Sequence, residues 1–435
     1  MKRLIDMSQT RSQRGAATLV VVMVLFLVMA LLAAYANRSL MFEQRIAGSY
    51  YRASMAQEMG EAGAEWAVAM LNGTAIDGNC TPVATGGMRF VDRYLTVSAA
   101  NRYTASNITT ATPYLAADCA SNGTAMTCRC PTANTRISQP STALSGSLIP
   151  SLGVALPQSG AGYGSYRLTS YGCSDSSVDN CASGGAETRS QQAAAASMQD
   201  VTVGFIGAVP SSPASPLTVK GLLTTSGAGG LGLHNSDPSS AGLLVVSGGA
   251  APVTLIDSRM DTVPGTPTAQ ARIFGNSMLA TQDNTEFFRT FMGMVPNRYK
   301  NHPAARSVTC SGDCGTTLAN AFLAGQRIMT VDTAMTIGSG TIGSPAAPVV
   351  VVVYGDVIIT GPMQLSGLLV VLGDLTWTNN TAAPSQVNGM VVVQGAMDAI
   401  GQMDIVYQQS IATALRNQLG SYARVSGGWI DGDIK

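Results

Sequence analysis

The sequence predicts an α+β protein: a long N-terminal helix, then a cysteine-containing β-rich head, then a region like a parallel β-helix. Three observations predict this class. Residues 16–36 form an apolar run without a charge. All eight cysteines follow that run. Three apolar runs recur towards the C-terminus, each ending in a glycine.

The run AATLVVVMVLFLVMALLAAYA is long enough to cross a membrane as a helix. Its 21 residues, rising about 1.5 Å each, span roughly 30 Å, the thickness of a bilayer's hydrocarbon core. The residues in front of it hold four basic side chains against one acidic one, Asp6. The positive-inside rule therefore keeps residues 1–15 in the cytoplasm and sends the remainder across.

Three interpretations of this segment compete. An ordinary secretory signal is one, since Ala34-Tyr35-Ala36 fits a small-x-small cleavage site, although the apolar run exceeds the usual length of about 7–15 residues. A permanent single-span anchor is the second. The third is a leader that is cut on its cytoplasmic side after Gly15, and the residues after the span favour it.

The helical pattern continues beyond the span to about residue 72. Apolar side chains recur at steps of three and four, which gives one stripe along a helix: Met55, Met59, Ala62, Trp66 and Met70. An acidic face lies beside it, and the first proline is Pro82. Three glycines, Gly48, Gly60 and Gly63, each cost up to about 1 kcal/mol without ending the helix. The sequence thus predicts one helix of about 56 residues, on the order of 80 Å long.

Gly15, the uncharged run and the segment RSLMFEQRIAGSYYRASMAQEMGEAGAEWA together resemble the N-terminus of PilX-type minor pilins of type IV pili. The resemblance covers residues 11–70. It implies that a prepilin peptidase removes residues 1–15, that Ala16 becomes the methylated N-terminus, and that the helix enters the filament core. Type II secretion pseudopilins share this leader and helix, so that class stays open.

One position departs from major pilins, which carry Glu as the fifth residue after the cut. This chain has Val20 there. A carboxylate buried without a partner costs several kcal/mol, and in major pilins it pairs with a neighbouring N-terminal amine. PilX-type and GspK-type subunits are similar in lacking this Glu. The resemblance therefore implies a place at or near the filament tip, where that pairing is not required.

Composition bounds the remaining chain. Charged residues make up 11 %, the net charge is zero and there are four lysines, so no basic patch indicates nucleic-acid binding.

The cysteines are Cys80, Cys119, Cys128, Cys130, Cys173, Cys181, Cys310 and Cys314. Their even number and expected extracytoplasmic location predict disulfides. Proximity suggests Cys173 with Cys181 and Cys310 with Cys314. A zinc site built from Cys119, Cys128 and Cys130 is the alternative.

The Cys-rich segment 73–200 occupies the place of the pilin globular head by resemblance. Strands are expected at 89–97 and 165–171, and a mobile loop at 140–164. Four side chains permit a calcium site like that of GspK-type subunits: Asp77, Asn79, Asp175 and Asp179. No twelve-residue calcium loop is present, so solvated turn residues are the competing interpretation, and we expect no bound cofactor.

The last region, 201–435, has internal repeats. The runs VVVVVYGD, LLVVLGD and MVVVQG contain Gly355, Gly373 and Gly395, which are 18 and 22 residues apart. Repeats of about 20 residues with short strands predict a parallel β-helix, with Val350–Val353 on Leu369–Leu372 and those on Val391–Val393. A weaker set lies at 217–246, and TIGSPAAPVVVVVYGD and IATALRNQLG resemble PilX-like chains.

A helical insert is expected at about 268–327, between the two sets of strands. Asn284-Thr285 is suited to cap a helix through EFFRTFMGM, and 316–327 reads as a second helix. Three aromatic side chains, Phe287, Phe288 and Phe291, are expected to pack the insert on the coils, with partner binding as the alternative.

An enzymatic interpretation was weighed against a structural one. Asp356 and Asp374 follow equivalent glycines, and paired carboxylates can perform acid–base work. However, Ala396 stands in the third coil, and Gly-Asp is an ordinary turn pair. The two histidines, His234 and His302, have no visible companions in the sequence. We therefore expect no catalytic residues.

The sequence thus predicts four parts: a leader (1–15), a stem helix (16–72), a Cys-rich pilin-like region (73–200) and a β-helix-like head (201–435). The resemblance implies a minor pilin that primes type IV pilus assembly and displays an adhesive head. Its implied partners are other minor pilins, the major pilin, prepilin peptidase and a PilY-type tip adhesin. The implied location is the inner membrane with a single pass, then the extracellular pilus. A secreted β-helix adhesin or carbohydrate-active enzyme is the other open class.

Overall fold

The computed structural model describes residues 13–98, 102–106, 114–121, 125–133, 149–157, 164–175, 178 and 195–432. Over these residues the predicted α+β class is confirmed. A long apolar helix is followed by a disulfide-bonded antiparallel sheet and by stacked parallel strands.

The stem is one continuous helix, α1 (Gln13–Leu71), of 59 residues. At about 1.5 Å per residue it is roughly 90 Å long. Its bounds agree with the predicted helix over 16–72 to within a few residues. The helix persists because no proline interrupts it and because its last turns pack on a sheet.

Short strands and one short helix follow the stem: β1 (Ala75–Ile76), β2 (Met88–Arg89), α2 (Phe90–Tyr94), β3 (Leu95–Val97), β4 (Tyr103–Ala105), β5 (Tyr114–Ser121), β6 (Met126–Ala133), β7 (Ser151–Pro157), β8 (Ser165–Cys173) and β9 (Ala196–Gly207). The strand expected at 165–171 is present as β8. The loop expected at 140–164 was wrong over β7, and the remainder of it, apart from residues 149–150 and 164, lies outside the described residues.

The strand expected at 89–97 was also wrong, because its centre is α2. Phe90 and Val91 are adjacent in sequence and both buried, whereas a strand would place neighbouring side chains on opposite faces. Arg89 also forms an ion pair with Asp92 at 2.7 Å, a spacing that a helical turn allows.

The first set of coil strands comprises β10 (Leu217–Val219), β11 (Leu223–Ser226), β12 (Leu231–His234), β13 (Val245–Ser247), β14 (Met260–Asp261) and β15 (Arg272–Ile273). The insert then contains α3 (Ser277–Thr281), α4 (Asn284–Met292), α5 (Pro296–Tyr299), β16 (Ala305–Ser307) and α6 (Cys314–Leu323). Asp283, and not Asn284, caps α4, because its carboxylate accepts the backbone N–H groups of Thr285 and Glu286. The second predicted helix begins and ends earlier than expected, as α6.

The second set of coil strands comprises β17 (Ile328–Val331), β18 (Met335–Ile337), β19 (Gly340–Ile342), β20 (Val349–Val353), β21 (Val357–Ile359), β22 (Met363–Val371), β23 (Leu375–Asn379), β24 (Gln386–Val393), β25 (Met397–Gly401) and β26 (Met403–Val406). Helix α7 (Gln409–Gln418) and strand β27 (Gly420–Gly432) complete the described chain.

The antiparallel sheet is built from both ends of the chain. Its strand order is β27–β9–β8–β7–β5–β6, so the C-terminal strand β27 returns from the head to pair with β9. Stem helix α1 packs on β8, β9 and β7. We call the parallel coils with their insert the head, and the elements from α1 to β9 together with β27 the stem unit. The chain leaves the stem unit after β9 and returns to it in β27, so two separate connections join the head to the stem unit.

The parallel coils do not stack in chain order. The main path through the largest sheet runs β16–β17–β20–β22–β24, and β24 then pairs with β10, which comes earlier in the sequence. Beyond β10 the path continues to β13 and β15. The insert thus carries the chain from one end of the stack to the other, and the last coil docks against the first.

The predicted stacking of the three valine-rich runs is correct in order, and its register is correct between the second and third runs but shifted by one residue between the first and second. Val350 pairs with Leu368, and Leu369 pairs with Val391. The 18-residue spacing of Gly355 and Gly373 gives this register. The shift matters because a slip of one residue turns each side chain to the opposite face of a strand.

Both faces of β20 are buried, which explains its unbroken apolar sequence. Val349, Val351 and Val353 belong to the core inside the coils. Val350 and Val352 face outward into a second core with the helices of the insert and α7. Phe287 and Phe288 are fully buried in that second core, so the expected packing of the insert on the coils is confirmed.

Candidate functional site

The first part of α1 presents apolar side chains to the outside. From Leu19 to Leu32 the large apolar side chains are 48–72 % exposed. The exposure continues past the predicted span at Leu40, Met41, Phe42, Ile46, Tyr50 and Tyr51. Among the described residues, this is one helix with the length and composition needed to cross a membrane. Water does not favour such a surface, so it needs a covering of lipid or protein.

The residues predicted for leader cleavage lie at the beginning of this helix. Gly15 and Ala16 fall in the first turns of α1, and their side chains lie outside the described residues. Val20 is 58 % exposed on the apolar part of the helix. The fifth position after the predicted cut thus presents an isopropyl group to its surroundings where major pilins carry a carboxylate.

The last part of α1 contacts the sheet through its smallest side chains. Ala56, Gly60, Gly63, Ala64 and Ala67 are all buried. They permit a close approach of helix and sheet.

Gly172 on β8 has the same role from the opposite side. A Cβ atom on Gly172 would lie 1.8 Å from the backbone oxygen of Ala56. Ser170 donates a hydrogen bond of 2.6 Å to the backbone oxygen of Gly60. Backbone contacts therefore lock the stem to β8 where larger side chains would separate them.

This buried stripe lies one residue along from the predicted one. Met59, Ala62, Trp66 and Met70 are partly buried against the same core, so they flank the contact and do not form its centre. One residue is about 100° of helix rotation. A sequence signal for this stripe exists, since small residues at 56, 60, 63 and 67 repeat at steps of four, three and four. A search for apolar side chains misses it, because these residues carry little apolar surface.

Disulfides connect the described cysteines. Cys80 joins Cys130, Cys119 joins Cys128 on adjacent strands β5 and β6, and Cys310 joins Cys314. The last pair is one of the two suggested by proximity. Cys119, Cys128 and Cys130 are thus in disulfides, which overturns the zinc alternative. Cys173 is disulfide-bonded, and Cys181 lies outside the described residues, so their pairing stays a prediction.

The carboxylates weighed for catalysis are bound to backbone. Asp356 accepts a hydrogen bond from the backbone N–H of Asp374 at 2.8 Å. Asp374 accepts one from Ala396 at 2.7 Å. Each carboxylate thus secures the turn of the neighbouring coil, which is a structural use of the Gly-Asp pair.

His234 has charged companions that the sequence did not reveal. Its Nδ1 lies 2.7 Å from Asp261 and its Nε2 lies 3.1 Å from Asp404. Arg259 contacts the same oxygen of Asp404 at 2.7 Å. The bond to Asp404, then that to Asp261, raises the pKa of His234 against the opposing effect of burial. We name these four residues the His234 clasp; they join the coils on either side of the junction between the last and first coils.

Asp77, one of the four residues considered for calcium, forms a turn. Its Oδ1 accepts the backbone N–H groups of Asn79 and Thr81 at 2.8 and 2.9 Å. These bonds, the one from Thr81 first, lower the pKa of Asp77. Asp179 lies outside the described residues. Within the described part of the chain, no group of three or more His, Cys, Asp or Glu is arranged to hold a metal ion.

An exposed apolar helix that continues into a segment packed on an antiparallel sheet fits the class of a membrane-anchored, pilin-like subunit. The particular type follows from its stem: residues 14–65 match the model of the PilX N-terminal family. This match over the stem supports a PilX-type, type IV pilus-related pilin.

Comparison of the complete chain adds little to this. No curated protein matches the sequence. One similar solved structure is the ice binding protein from an Antarctic bacterium Flavobacteriaceae, at 12 % identity and a TM-score of 0.22. The alignment covers 46 % of this chain and 49 % of that protein, so this chain spans about half its length. A likeness at this level supports no conclusion about function.

Proposed function

We propose that this chain is a minor pilin that takes part in type IV pilus assembly at or near the filament tip. The observation that carries the proposal is the division of α1 into an exposed apolar part and a part locked to the sheet. Before assembly the exposed part crosses the inner membrane in a single pass. On assembly it exchanges lipid for the stems of the major pilin and other minor pilins.

Processing at Gly15 is the first step to test. We expect a mature N-terminus at Ala16 carrying a methyl group, detected by mass spectrometry of the purified protein. Gly15→Leu should leave the full-length form in the membrane and reduce piliation. Gly48→Leu is the matched control for bulk in the stem and should be processed normally. A mature start at Asn37 would instead support a secreted β-helix adhesin or carbohydrate-active enzyme.

The tip position rests on Val20. A filament shaft built of subunits with a buried carboxylate needs that group paired with an N-terminal amine, and Val20 cannot provide the pair. Immunogold labelling of an epitope inserted at the exposed Ala251 should mark filament ends only. Labels distributed along the shaft would contradict a tip position.

Display of the head is the remaining part of the proposal. The head is joined to the stem unit through both β9 and β27, so it moves with the stem and projects beyond it. Such a head at the tip is suited to priming contacts with other minor pilins and to adhesion, with a PilY-type protein as a further partner. Deletion of this chain should reduce the number of filaments per cell more than it reduces the cellular amount of the major pilin. A type II secretion pseudopilin shares the same stem, and loss of protein secretion with intact pili would favour that class.

A further inference from the structure

A cleft of about 690 Å³ lies between the stem unit and the head. One side is formed by α2 and β3, and the other by the end of α6, the turn before β20 and the end of α7. Its walls are largely apolar and include Val91, Leu95, Phe322 and Leu419. Leu323, at the rim, is 52 % exposed.

The cleft is lined by more positive than negative side chains. Arg89, Asp92 and Arg327 are the charged residues among its lining. Their side chains are 12, 23 and 13 % exposed. Two guanidinium groups and one carboxylate leave one surplus positive charge. Partial burial makes this surplus significant, because few water molecules screen it.

Both guanidinium groups retain unused donors. Arg89 donates to Asp92 through Nε and Nη2, at 2.8 and 2.7 Å. Arg327 donates to Asp92 at 3.2 Å and to the backbone oxygen of Pro348 at 3.2 Å. Each guanidinium has five N–H donors, so three on each side chain have no further partner among the residues that the structure describes.

The surplus positive charge also affects the pKa values of Arg327 and Asp92. Burial, then the neighbouring Arg89, lowers the pKa of Arg327 to about 10 despite the presence of Asp92. Burial raises the pKa of Asp92, but Arg89 and then Arg327 outweigh it and the net shift is downward. A second anion would relieve the repulsion between the two guanidinium groups.

We propose that this cleft binds the C-terminal carboxylate of a partner polypeptide whose last side chain is apolar. A guanidinium fork matches a planar carboxylate in geometry and charge. At a chain end the carboxylate and the side chain leave the same Cα, so the carboxylate can meet the charged residues of the cleft while the side chain meets its apolar wall. This inference is independent of the pilus assignment.

A pair of short peptides tests the proposal. Acetyl-Gly-Ser-Val-Leu with a free carboxylate is titrated into the full-length protein in detergent micelles, beside the same peptide as its C-terminal amide. The acid form should bind at least ten-fold more tightly, and higher salt should weaken it. Equal affinity of the two forms would overturn the proposal. Equal competition by inorganic phosphate would do so too, since it would reassign the site to small anions.

Variants separate binding from folding. Ala346 lines the cleft and is exposed, so Ala346→Trp should fill it and reduce affinity at least ten-fold without touching the ion pairs. Ala251→Trp, also at an exposed alanine, is the matched control and should bind like the wild type. Arg327→Gln removes the surplus charge and should abolish the preference for the acid. Undiminished binding by a folded Ala346→Trp protein would refute the site even if Arg327→Gln fails to fold.

Discussion

The carboxylate of Asp356 accepts the backbone N–H of Asp374, which stands at the equivalent position of the next coil, at 2.8 Å. Asp374 repeats the contact to Ala396 at 2.7 Å. The series ends there because alanine has no acceptor side chain. Aspartates that resemble a catalytic pair in sequence thus act as successive turn caps along the stack.

Removing one of these caps should lower stability, because the turn of the next coil loses its acceptor. Asp356→Ala leaves the N–H of Asp374 without its acceptor, and we expect a loss of about 1 kcal/mol. Thermal unfolding measures it. Asp431→Ala, at an exposed aspartate on β27, is the control and should unfold like the wild type. An unchanged midpoint for Asp356→Ala would show that water replaces the carboxylate.

The close contact of α1 with β8, which we call the stem lock, makes a prediction about Gly172. Gly172→Ala places a methyl group 1.8 Å from the backbone oxygen of Ala56, so the helix and β8 must separate. We expect a destabilisation of about 2 kcal/mol and faster proteolysis after residue 55, measured by limited digestion. In contrast, a Cβ added at Gly48 would meet no atom within 4 Å beyond its own helical turns. Gly48→Ala should therefore leave the rate of digestion unchanged or make it slower. Equal digestion of the two variants would contradict the lock.

The His234 clasp predicts a pH-dependent stability. The pKa of His234 is raised above its usual value of 6.5, so its contribution is complete below pH 6.5 and is lost as pH rises through the higher folded pKa. His234→Gln should therefore lower the unfolding temperature at pH 6 and have little effect at pH 9. The effect at pH 6 should correspond to about 1 kcal/mol, since the side chains are partly exposed.

A suitable control for the clasp is Arg272→Gln. Arg272 pairs with Asp257 at 2.8 Å, and this ion pair contains no imidazole, the side chain whose ordinary pKa lies near neutral pH. Arg272→Gln should change the unfolding temperature by the same amount at pH 6 and at pH 9. A loss for His234→Gln that is equal at pH 6 and pH 9 would mean that the imidazole contributes packing and not charge.

The disulfides of the stem unit should differ in their effect on stability. Cys80–Cys130 closes a separation of 50 residues, and Cys119–Cys128 closes one of 9. Loop entropy gives about 4 kcal/mol for the first and about 2.5 kcal/mol for the second. Replacing both cysteines of a pair by alanine, followed by denaturant unfolding, should reveal a larger loss for Cys80–Cys130. The reverse order would show that packing around Cys119 outweighs loop entropy.

The stem and the coils were predictable because their signals are local. Residues 16–36 have no charge, and apolar side chains repeat at helical spacing as far as Met70, so a long helix follows from sequence alone. The glycines at 355, 373 and 395 likewise mark the coil repeat. Prediction failed where the local signal was ambiguous: Phe90 and Val91 are neighbours that are both buried. A helix on a core permits this arrangement, and so does a strand covered on both faces, such as β20.

The His234 clasp and the cleft between stem and head were not predictable. Asp404 is 170 residues from His234, and Asp92 is 235 residues from Arg327. No periodicity connects residues so distant. Such pairs form only after the coils have stacked and the head has docked, and no pattern in their own segments indicates them.

The sequence by itself determined that this chain has an apolar stem, disulfides beyond it and β-strands that repeat about every 20 residues. Hydrophobic period and length are properties of contiguous segments, and they act before any distant contact forms. The tertiary structure alone decided the order of the coils, in which Leu217 of the first coil pairs with Val391 of the last. Any exposed strand edge of matching length can accept another, so the order depends on which edges the insert brings together.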